Sequence, residues 1–342
     1  MTKVPRHVPW LLALLSAFVQ AHGATTSGHF MWFAPVPWGA ALILACRDLR
    51  PRDAALRGAL MGALIGVVSS AHLWGIIYYH QSVYFLILAY HAVVWGLWSA
   101  WAGVCVVRGG KHYALAAAAG WAFVETMRSI GSVSFPFYFG GTLADELPVV
   151  QIVSVVGTSG LSGLLFWVGF SLSGPFAALW GERRWAAPRY YVPAVVVALV
   201  STGWGAVRLS TSPRALATLR VSALQGSIPP WLYSLAIGAG PFRAVVEEHY
   251  GFLYREVLAA KPTPDLVLFP ETTFDWHILP STAAIRRLRT FSATRIPKST
   301  TVLFGASFTN EHALGSMNGV GIATPDREGL PVLRRIVTKH QL

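Results

Sequence analysis

Asp265-Leu-Val-Leu-Phe-Pro-Glu271-Thr-Thr273 reads as a short buried strand that delivers a carboxylate to a sharp turn. Leu266 to Phe269 is an apolar run of the kind that fits a strand covered on both faces, and Pro270 has no N–H to offer a ladder. The strand should therefore stop at Pro270, leaving Glu271 just past its end, rigid from the sheet below and open above. A general base belongs in such a place. The bland alternative is an ordinary acid capping a strand end. What raises the first reading is the context, because residues 1–209 upstream have the character of a membrane domain.

The 342 residues are 54% hydrophobic and only 12% charged, with a mean hydropathy of +0.50, against roughly 25% charged in a soluble domain. That composition marks a membrane protein. A net charge of +12 invites a nucleic-acid reading. In a membrane protein the simpler cause is the accumulation of Lys and Arg in loops that stay cytoplasmic, so no nucleic-acid partner is expected. Cys46 and Cys105 sit at the ends of apolar spans beside Arg47 and Arg108, near the cytoplasmic interface, where disulfides rarely persist. Neither reads as a nucleophile or a metal ligand.

Apolar segments recur at 8–23, 30–45, 56–79, 83–107, 113–127, 149–179 and 191–207. Several reach the roughly 20 residues that cross a 30 Å hydrocarbon core. The first two are short, and Pro35 and Pro37 are expected to break the second. Lys3, Arg6 and the small residues of Ala21-His-Gly-Ala24 also give the first run the outline of a signal peptide, but the loop charges fit an uncleaved helix better. Those charges set the orientation. Lys3 and Arg6, then Arg47, Arg50, Arg52 and Arg57, then Arg108 and Lys111, then Arg183, Arg184 and Arg189 fall on one side, while the opposite loops hold only Arg128. The asymmetry predicts about seven spans with a cytoplasmic N-terminus and everything after Arg208 outside. Trp74, Tyr78, Tyr79, Trp180, Tyr190 and Tyr191 supply an interfacial aromatic belt.

After Leu209 the composition becomes that of a soluble α/β domain. Leu219 to Leu224 alternates as a strand into Gln225-Gly226 and Pro229-Pro230, and 242–260 has helical spacing before the Pro262 and Pro264 linker. Strand, helix, strand implies a parallel pair joined by a right-handed crossover. Arg286, Arg287 and Arg289 fall on a second expected helix, Thr300 to Phe304 is a third strand, and 317–324 with 332–337 suggests a hairpin around Pro325 to Gly329. Gly305-Ala-Ser307 follows a strand but lacks the glycines and lysine of a phosphate loop.

Four landmarks, in order along nearly the whole chain, carry a resemblance: Glu125-Thr-Met-Arg128 followed by Ser134-Phe-Pro-Phe137; Gln225-Gly-Ser-Ile-Pro229; Phe269-Pro-Glu-Thr272; and Val337-Thr-Lys-His340. Singly each is weak, and the Pro-Glu-Thr turn is the strongest. With seven spans before them they make the chain resemble apolipoprotein N-acyltransferase, a bacterial inner-membrane family that carries a nitrilase-like (carbon-nitrogen hydrolase) domain on a transmembrane bundle. The resemblance implies a multi-span α-helical membrane domain over 1–209, followed over 210–342 by the first part of a periplasmic α/β nitrilase-like domain, a partial α-β-β-α sandwich.

By that resemblance, a glutamate, a lysine and a cysteine form the catalytic triad. The thiolate takes an acyl chain from a phospholipid donor and hands it to the amine of a diacylglyceryl-cysteine lipoprotein acceptor, with no cofactor and no metal. A carboxylate near the thiol takes its proton and later returns one. An ammonium beside the carbonyl oxygen stabilises the tetrahedral intermediate, an effect of ~3 kcal/mol per donor. Glu271 matches the glutamate and Lys339 the lysine, while no residue here matches the cysteine. In the family the sequence runs on past the lysine through a Pro-Phe-Gly-Glu loop and the cysteine strand, whereas here it stops at Leu342. The expectation is a truncated product, with an exposed sheet edge, that is inactive alone.

Lys339 taken by itself reads equally as a solvated residue in a basic tail with Arg334 and Arg335, and only the resemblance lifts it. Glu125 and Arg128, three apart near the outer end of the fifth span, most plainly form a helix-face ion pair, and they also fit the approach to an active site. Phe135 and Phe137 fit either a lipid-facing lid or a simple belt, and Trp231 either dips into the membrane or joins a core. His72 and His91 lie within spans with no spaced carboxylate, so packed, hydrogen-bonded histidines are favoured over a relay. Two other functions compete. A membrane-tethered amidase would not need seven spans for a water-soluble substrate. The other is a non-enzymatic membrane binding protein or transporter; transporters usually show charged or broken mid-span helices and internal repeats, and the spans here show neither clearly.

Overall fold

The computed structural model describes residues 4–25, 31–71, 73, 81–130, 147–211, 218–228, 240–270, 274–278, 295–309 and 316–338. The chain divides into two compact units, Met1–Pro213 and Arg214–Leu342. The first is helical: α1 (Val8–Thr25), α2 (Pro35–Cys46), α3 (Pro51–Ser70), α4 (Gln81–Arg108), α5 (Tyr113–Arg128), a single turn α6 (Leu147–Val150), α7 (Val153–Ala177) and α8 (Val192–Ser210). Among the described residues four helices are long and apolar enough to cross a membrane, spanning Pro51–Ser70, Gln81–Arg108, Val153–Trp180 and Val192–Ser210.

Two sequence expectations need correction. Pro35 and Pro37 do not break the second apolar segment but begin it, because Pro35 occupies the first helical turn, where no backbone N–H is needed. The apolar run at 149–179 is not one helix. Gly157 has φ 70° and ψ 174°, a conformation closed to side chains with a Cβ, so Val153–Val156 meets the rest of α7 across a kink.

Helices α3 and α4 pack antiparallel at backbone distance. Gly58, Gly62 and Gly66 lie one turn apart on α3, and a Cβ on each would strike the carbonyl of Ser99, Trp95 and His91 in turn. Close approach over small residues is how helices associate when lipid removes the hydrophobic drive between them. The interior beside this seam is a ring cluster from α2, α4, α5 and α7. Trp38 lies 4.3 Å from Trp98, Trp95 lies 4.4 Å from Trp121, and Trp121 lies 4.8 Å from Phe166, all centroid to centroid. Trp98 Nε1 donates to the Ala117 carbonyl at 2.8 Å, so even its polar edge is satisfied across α4 and α5.

At one end of the bundle the basic stretches converge. Arg47 pairs with buried Glu182, Trp185 stacks edge-on against Tyr113 at 4.8 Å, and Arg57 donates to the Ala45 carbonyl at 3.3 Å. The turn after α2, the start of α5 and the segment between α7 and α8 thus share one end.

Among the described residues, the second unit is a mixed sheet with one helix against it. Its strands are β1 (Val221–Ala223), β2 (Leu266–Leu268), β3 (Phe274–Ile278), β4 (Thr301–Thr309), β5 (Ser316–Pro325) and β6 (Pro331–Thr338), in the order β1-β2-β4-β5-β6 with β3 also on β4. β1, β2 and β4 are parallel, and β4, β5 and β6 run antiparallel in sequence. The helix between β1 and β2, α9 (Gly240–Ala259), shows Val246, Tyr250, Tyr254 and Leu258 at intervals of four, and all are buried against Val267, Phe269, Val302 and Phe304. The β5–β6 turn closes on Asp326, whose Oδ1 accepts from the N–H groups of Glu328 and Leu330 at 2.9 and 2.8 Å. The expected helix holding Arg286, Arg287 and Arg289, and belt residues Trp74, Tyr78 and Tyr79, lie outside the described residues.

Candidate functional site

Glu125 sits near the end of α5 and is 1% exposed. A carboxylate inside a membrane bundle is costly and persists where donors meet it. Trp121 Nε1, one turn earlier, donates to Glu125 Oε1 at 2.8 Å. Arg128, partly buried, places its guanidinium 5.7 Å from the centre of the Tyr90 ring on α4. The contacts of both residues thus include aromatic neighbours, beyond the helix-face pairing their spacing suggested.

The α4–α5 register adds a residue that sequence reading set aside. Trp98 against Ala117 and Tyr90 beneath Arg128 define an antiparallel pairing in which His91 stands level with Glu125. His91 is 5% exposed, and its Nδ1–H is directed at the Ile87 carbonyl 2.9 Å away. It is a packed, hydrogen-bonded histidine, as its isolation in sequence suggested, yet the fold brings a carboxylate to its level.

In the second unit the structure describes the supports of the two residues matched to the triad. Phe269 is held under Tyr254 and Tyr250 at ring distances of 5.4 and 6.1 Å, and its N–H donates to the Leu303 carbonyl at 2.8 Å. Burial pushes the Tyr254 phenol up from its ordinary pKa of 10.0, so this wall of the core stays uncharged. The strand that feeds Glu271 is therefore fixed up to its last turn. At its other end Arg220 grips Asp265 with Nε and Nη2 at 3.1 and 3.0 Å, and the Arg220 backbone N–H adds a third bond at 2.9 Å. Those bonds hold the Asp265 carboxyl below the usual carboxylate range.

β6 runs antiparallel to β5, and β5 antiparallel to β4, so β2, β4 and β6 all point the same way. The chain therefore leaves β2 toward Glu271 and β6 toward Lys339 at the same edge of the sheet. Three strand spacings separate those two strands, about 14 Å. Glu271, Lys339, Phe135, Phe137 and Trp231 themselves, and His72, lie outside the described residues. Cys46 and Cys105 are both buried in the bundle core, with Cys46 Sγ 3.7 Å from the Ala54 carbonyl.

Residues 7–171 match the family model described as "Apolipoprotein N-acyltransferase N-terminal domain". Two curated relatives, both named apolipoprotein N-acyltransferase, come from Brucella suis biovar 1 (strain 1330) and Brucella melitensis biotype 1 (strain ATCC 23456 / CCUG 17765 / NCTC 10094 / 16M). Each is 30% identical over 175 residues, which is 49% of this chain. The match covers 30% of the length of each relative.

Proposed function

We propose, from the match of residues 7–171 to the apolipoprotein N-acyltransferase N-terminal domain, that the chain serves acyl transfer from a phospholipid to the amine of a diacylglyceryl-cysteine lipoprotein in the bacterial inner membrane. The family match over α1 to α7 is the observation that carries this reading. In it, seven spans with a cytoplasmic N-terminus hold a nitrilase-like domain on the periplasmic side. The convergence of Arg47, Arg57 and the Glu182 segment at one end of the bundle supports that orientation.

Glu271 is assigned as the general base and Lys339 as the cation for the tetrahedral oxygen. The common direction of β2 and β6 supports the pairing, since both residues follow strands that leave the sheet at one edge. Glu125 and Arg128, at the end of α5 away from the basic loops, are assigned to the substrate approach, together with Phe135, Phe137 and Trp231. The nucleophile is neither Cys46 nor Cys105, because both are buried within the bundle. These 342 residues alone should then form no acyl-thioester.

The test uses purified chain in liposomes of phospholipid carrying a labelled acyl chain, read by intact-protein mass spectrometry. No covalent adduct is expected on the chain alone, and an acyl adduct on Cys46 or Cys105 would overturn the assignment. Acyl transfer to a diacylglyceryl peptide should appear when a nitrilase-like segment with a strand-end cysteine is joined in frame, and should vanish with Glu271→Gln. Activity undiminished by Glu271→Gln would sink the role given to that residue.

A further inference from the structure

The chain turns sharply where β1 ends. β1 stays tied to β2 as far as Leu224, whose N–H donates to the Leu268 carbonyl at 2.8 Å. Leu224 and Ile228 both pack into the core under α9, while Gln225 and Ser227 between them are exposed and Gly226 is buried. Three residues thus loop out and the fourth returns. The return is made at Ser227, whose φ of 47° lies in the left-handed region that serine rarely enters. Among the described residues no other side chain with a Cβ is held there. Backbone of that kind persists only where its surroundings fix it.

Two neighbours on α9 fix it. Tyr250 lies so close over Gly226 that no Cβ would fit there. His249 is exposed, and its Nε2–H donates to the Gly226 carbonyl at 2.9 Å. The place of the turn follows from the register of β1 and β2, parallel neighbours with Val221 opposite Leu266 and Ala223 opposite Leu268. Continued by two residues, that register sets Gln225 level with Pro270, the residue before Glu271. Adjacent strands lie about 4.8 Å apart. Gln225 shares the pleat of the exposed Val221 and Ala223, so it falls on the sheet face away from α9. An amide and a hydroxyl are therefore presented at the edge where the chain leaves β2 toward Glu271.

We propose, resting on the acyl-transfer reading of Glu271, that the Gln225–Ser227 turn is a second wall of that site and binds the first peptide group of the lipoprotein acceptor. The Gln225 amide and the Ser227 hydroxyl make the hydrogen bonds, and His249 is the positioning residue that holds the turn in shape. The chemistry of the occupant follows from the groups on offer. A side-chain amide has two donors and an acceptor, which a peptide group complements, and a hydroxyl can serve as either. Gln225, Gly226, Ser227 and Ile228 carry no charge, so the turn suits a neutral amide and gives a phosphate no counter-charge. Holding that amide one strand away from the base would bring the acceptor's amine to it. The strain at Ser227 fits a binding turn, since a connection serving the fold alone would be cheaper with glycine there.

Binding needs no thiol, so the test uses the full chain in nanodiscs. The probe is a diacylglyceryl-cysteine peptide with a diazirine on its second residue, kept below saturation, and cross-linked segments are mapped by mass spectrometry. Label should fall on 221–228 and drop about fivefold in Gln225→Ala, the contribution of one hydrogen bond. His249→Ala should lower it as far. His249→Gln, which keeps an N–H for the Gly226 carbonyl, should restore it. Amide exchange at Leu224 should be unchanged in all three, so that lost labelling does not come from unfolding of β1. No label on 221–228, or equal label in wild type and Gln225→Ala, would overturn the wall. Wild-type labelling in His249→Ala, or no rescue in His249→Gln, would overturn the positioning role. The acyl-transfer reading fails separately: labelling lost in Gln225→Ala, with no transfer by the protein extended in frame, would remove the reaction and leave the peptide site.

Discussion

The two units bury apolar surface by different rules. In the sheet unit burial alternates with the pleat: Val267 is fully buried between half-buried Leu266 and Leu268, and Val302 and Phe304 are buried while Thr301 and Leu303 are not. One face is covered by α9, and the hydrophobic effect accounts for it. In the bundle no such rule holds, since α8 leaves Leu199, Val200 and Val207 at 66%, 65% and 61% exposed. For a helix surrounded by lipid that exposure costs nothing. What distinguishes inside from outside there is shape, with rings packed on rings and glycines against carbonyls. The bundle should therefore be sensitive to both lost and added volume at its seams and indifferent to either on its outer face.

The largest effect is expected where rings meet. Trp98 is 1% exposed, touches Trp38, Trp121, Phe166 and Phe170, and anchors α4 to α5 through its Nε1. Trp98→Ala should cost about 4 kcal/mol, read as unfolding of the bundle in detergent. Trp101→Ala should cost less than half of that, because Trp101 is 50% exposed although its Nε1 also donates, to Ala116 at 3.0 Å. Equal losses for the two would show that the hydrogen bonds, not the ring packing, hold the pair of helices.

The comparison sharpens with one added methyl group placed twice. Gly62→Ala drives a Cβ into the Trp95 carbonyl and should destabilise by about 2 kcal/mol. Gly203→Ala meets nothing within 4 Å and should be neutral or stabilise by up to ~1 kcal/mol through helix propensity. Opposite signs from the same substitution are the mark of a seam and a lipid face. The same sign at both positions would mean that the α3–α4 approach is looser than the structure has it.

Much of this organisation was legible in the residues and some was not, for physical reasons. Long apolar stretches announce helices, and the alternation before Gln225 and the stop at Pro270 announced β1 and β2. The break in the 149–179 run was invisible, because a glycine in an apolar stretch looks the same whether its φ is negative or, as at Gly157, 70°. β3 was missed although Phe274, Trp276 and Ile278 alternate with Asp275 and His277 as in a half-buried strand, and its pairing with β4 is irregular. Of the candidate site, Glu125 could be named from its motif, but a place for His91 beside it in the α4–α5 register could not. The two reach the same level only through antiparallel packing of α4 on α5. A groove between α5, α7 and α8 left still less trace, since Ala118, Ala122, Gly160, Gly163 and Ser201, which help to line it, are scattered over three helices.

Gly157 offers the next test, of the kink rather than the seam. A Cβ there meets open space, so any cost of Gly157→Ala is backbone strain alone, about 1–3 kcal/mol. Relief of that strain by straightening α7 should move Val156, read as a changed rate of thiol labelling in Val156→Cys. Unchanged stability with unchanged labelling would show that alanine tolerates this conformation here.

The smallest effect belongs to the sheet unit and asks whether an exposed clamp matters where burial already orders the strands. Arg220 and Asp265 tie the entry of β1 to that of β2, and the bonds from Arg220 lower the Asp265 pKa from its ordinary 3.8. A carboxyl depressed on folding adds stability that is fully present above its unfolded value. That stability declines as pH falls from near 3.8 through the lower folded value, where the proton displaces Arg220. Acidification across that window should loosen β1 against β2, seen as faster amide exchange at Leu224, whose N–H donates to the Leu268 carbonyl at 2.8 Å. Asp265→Asn should remove that pH dependence and cost little at neutral pH, because solvent screens the pair. Acid loosening of equal size in Asp265→Asn would place its cause elsewhere in the sheet unit. It would leave the buried contacts of Val267 and Phe269 as the whole of what holds these strands.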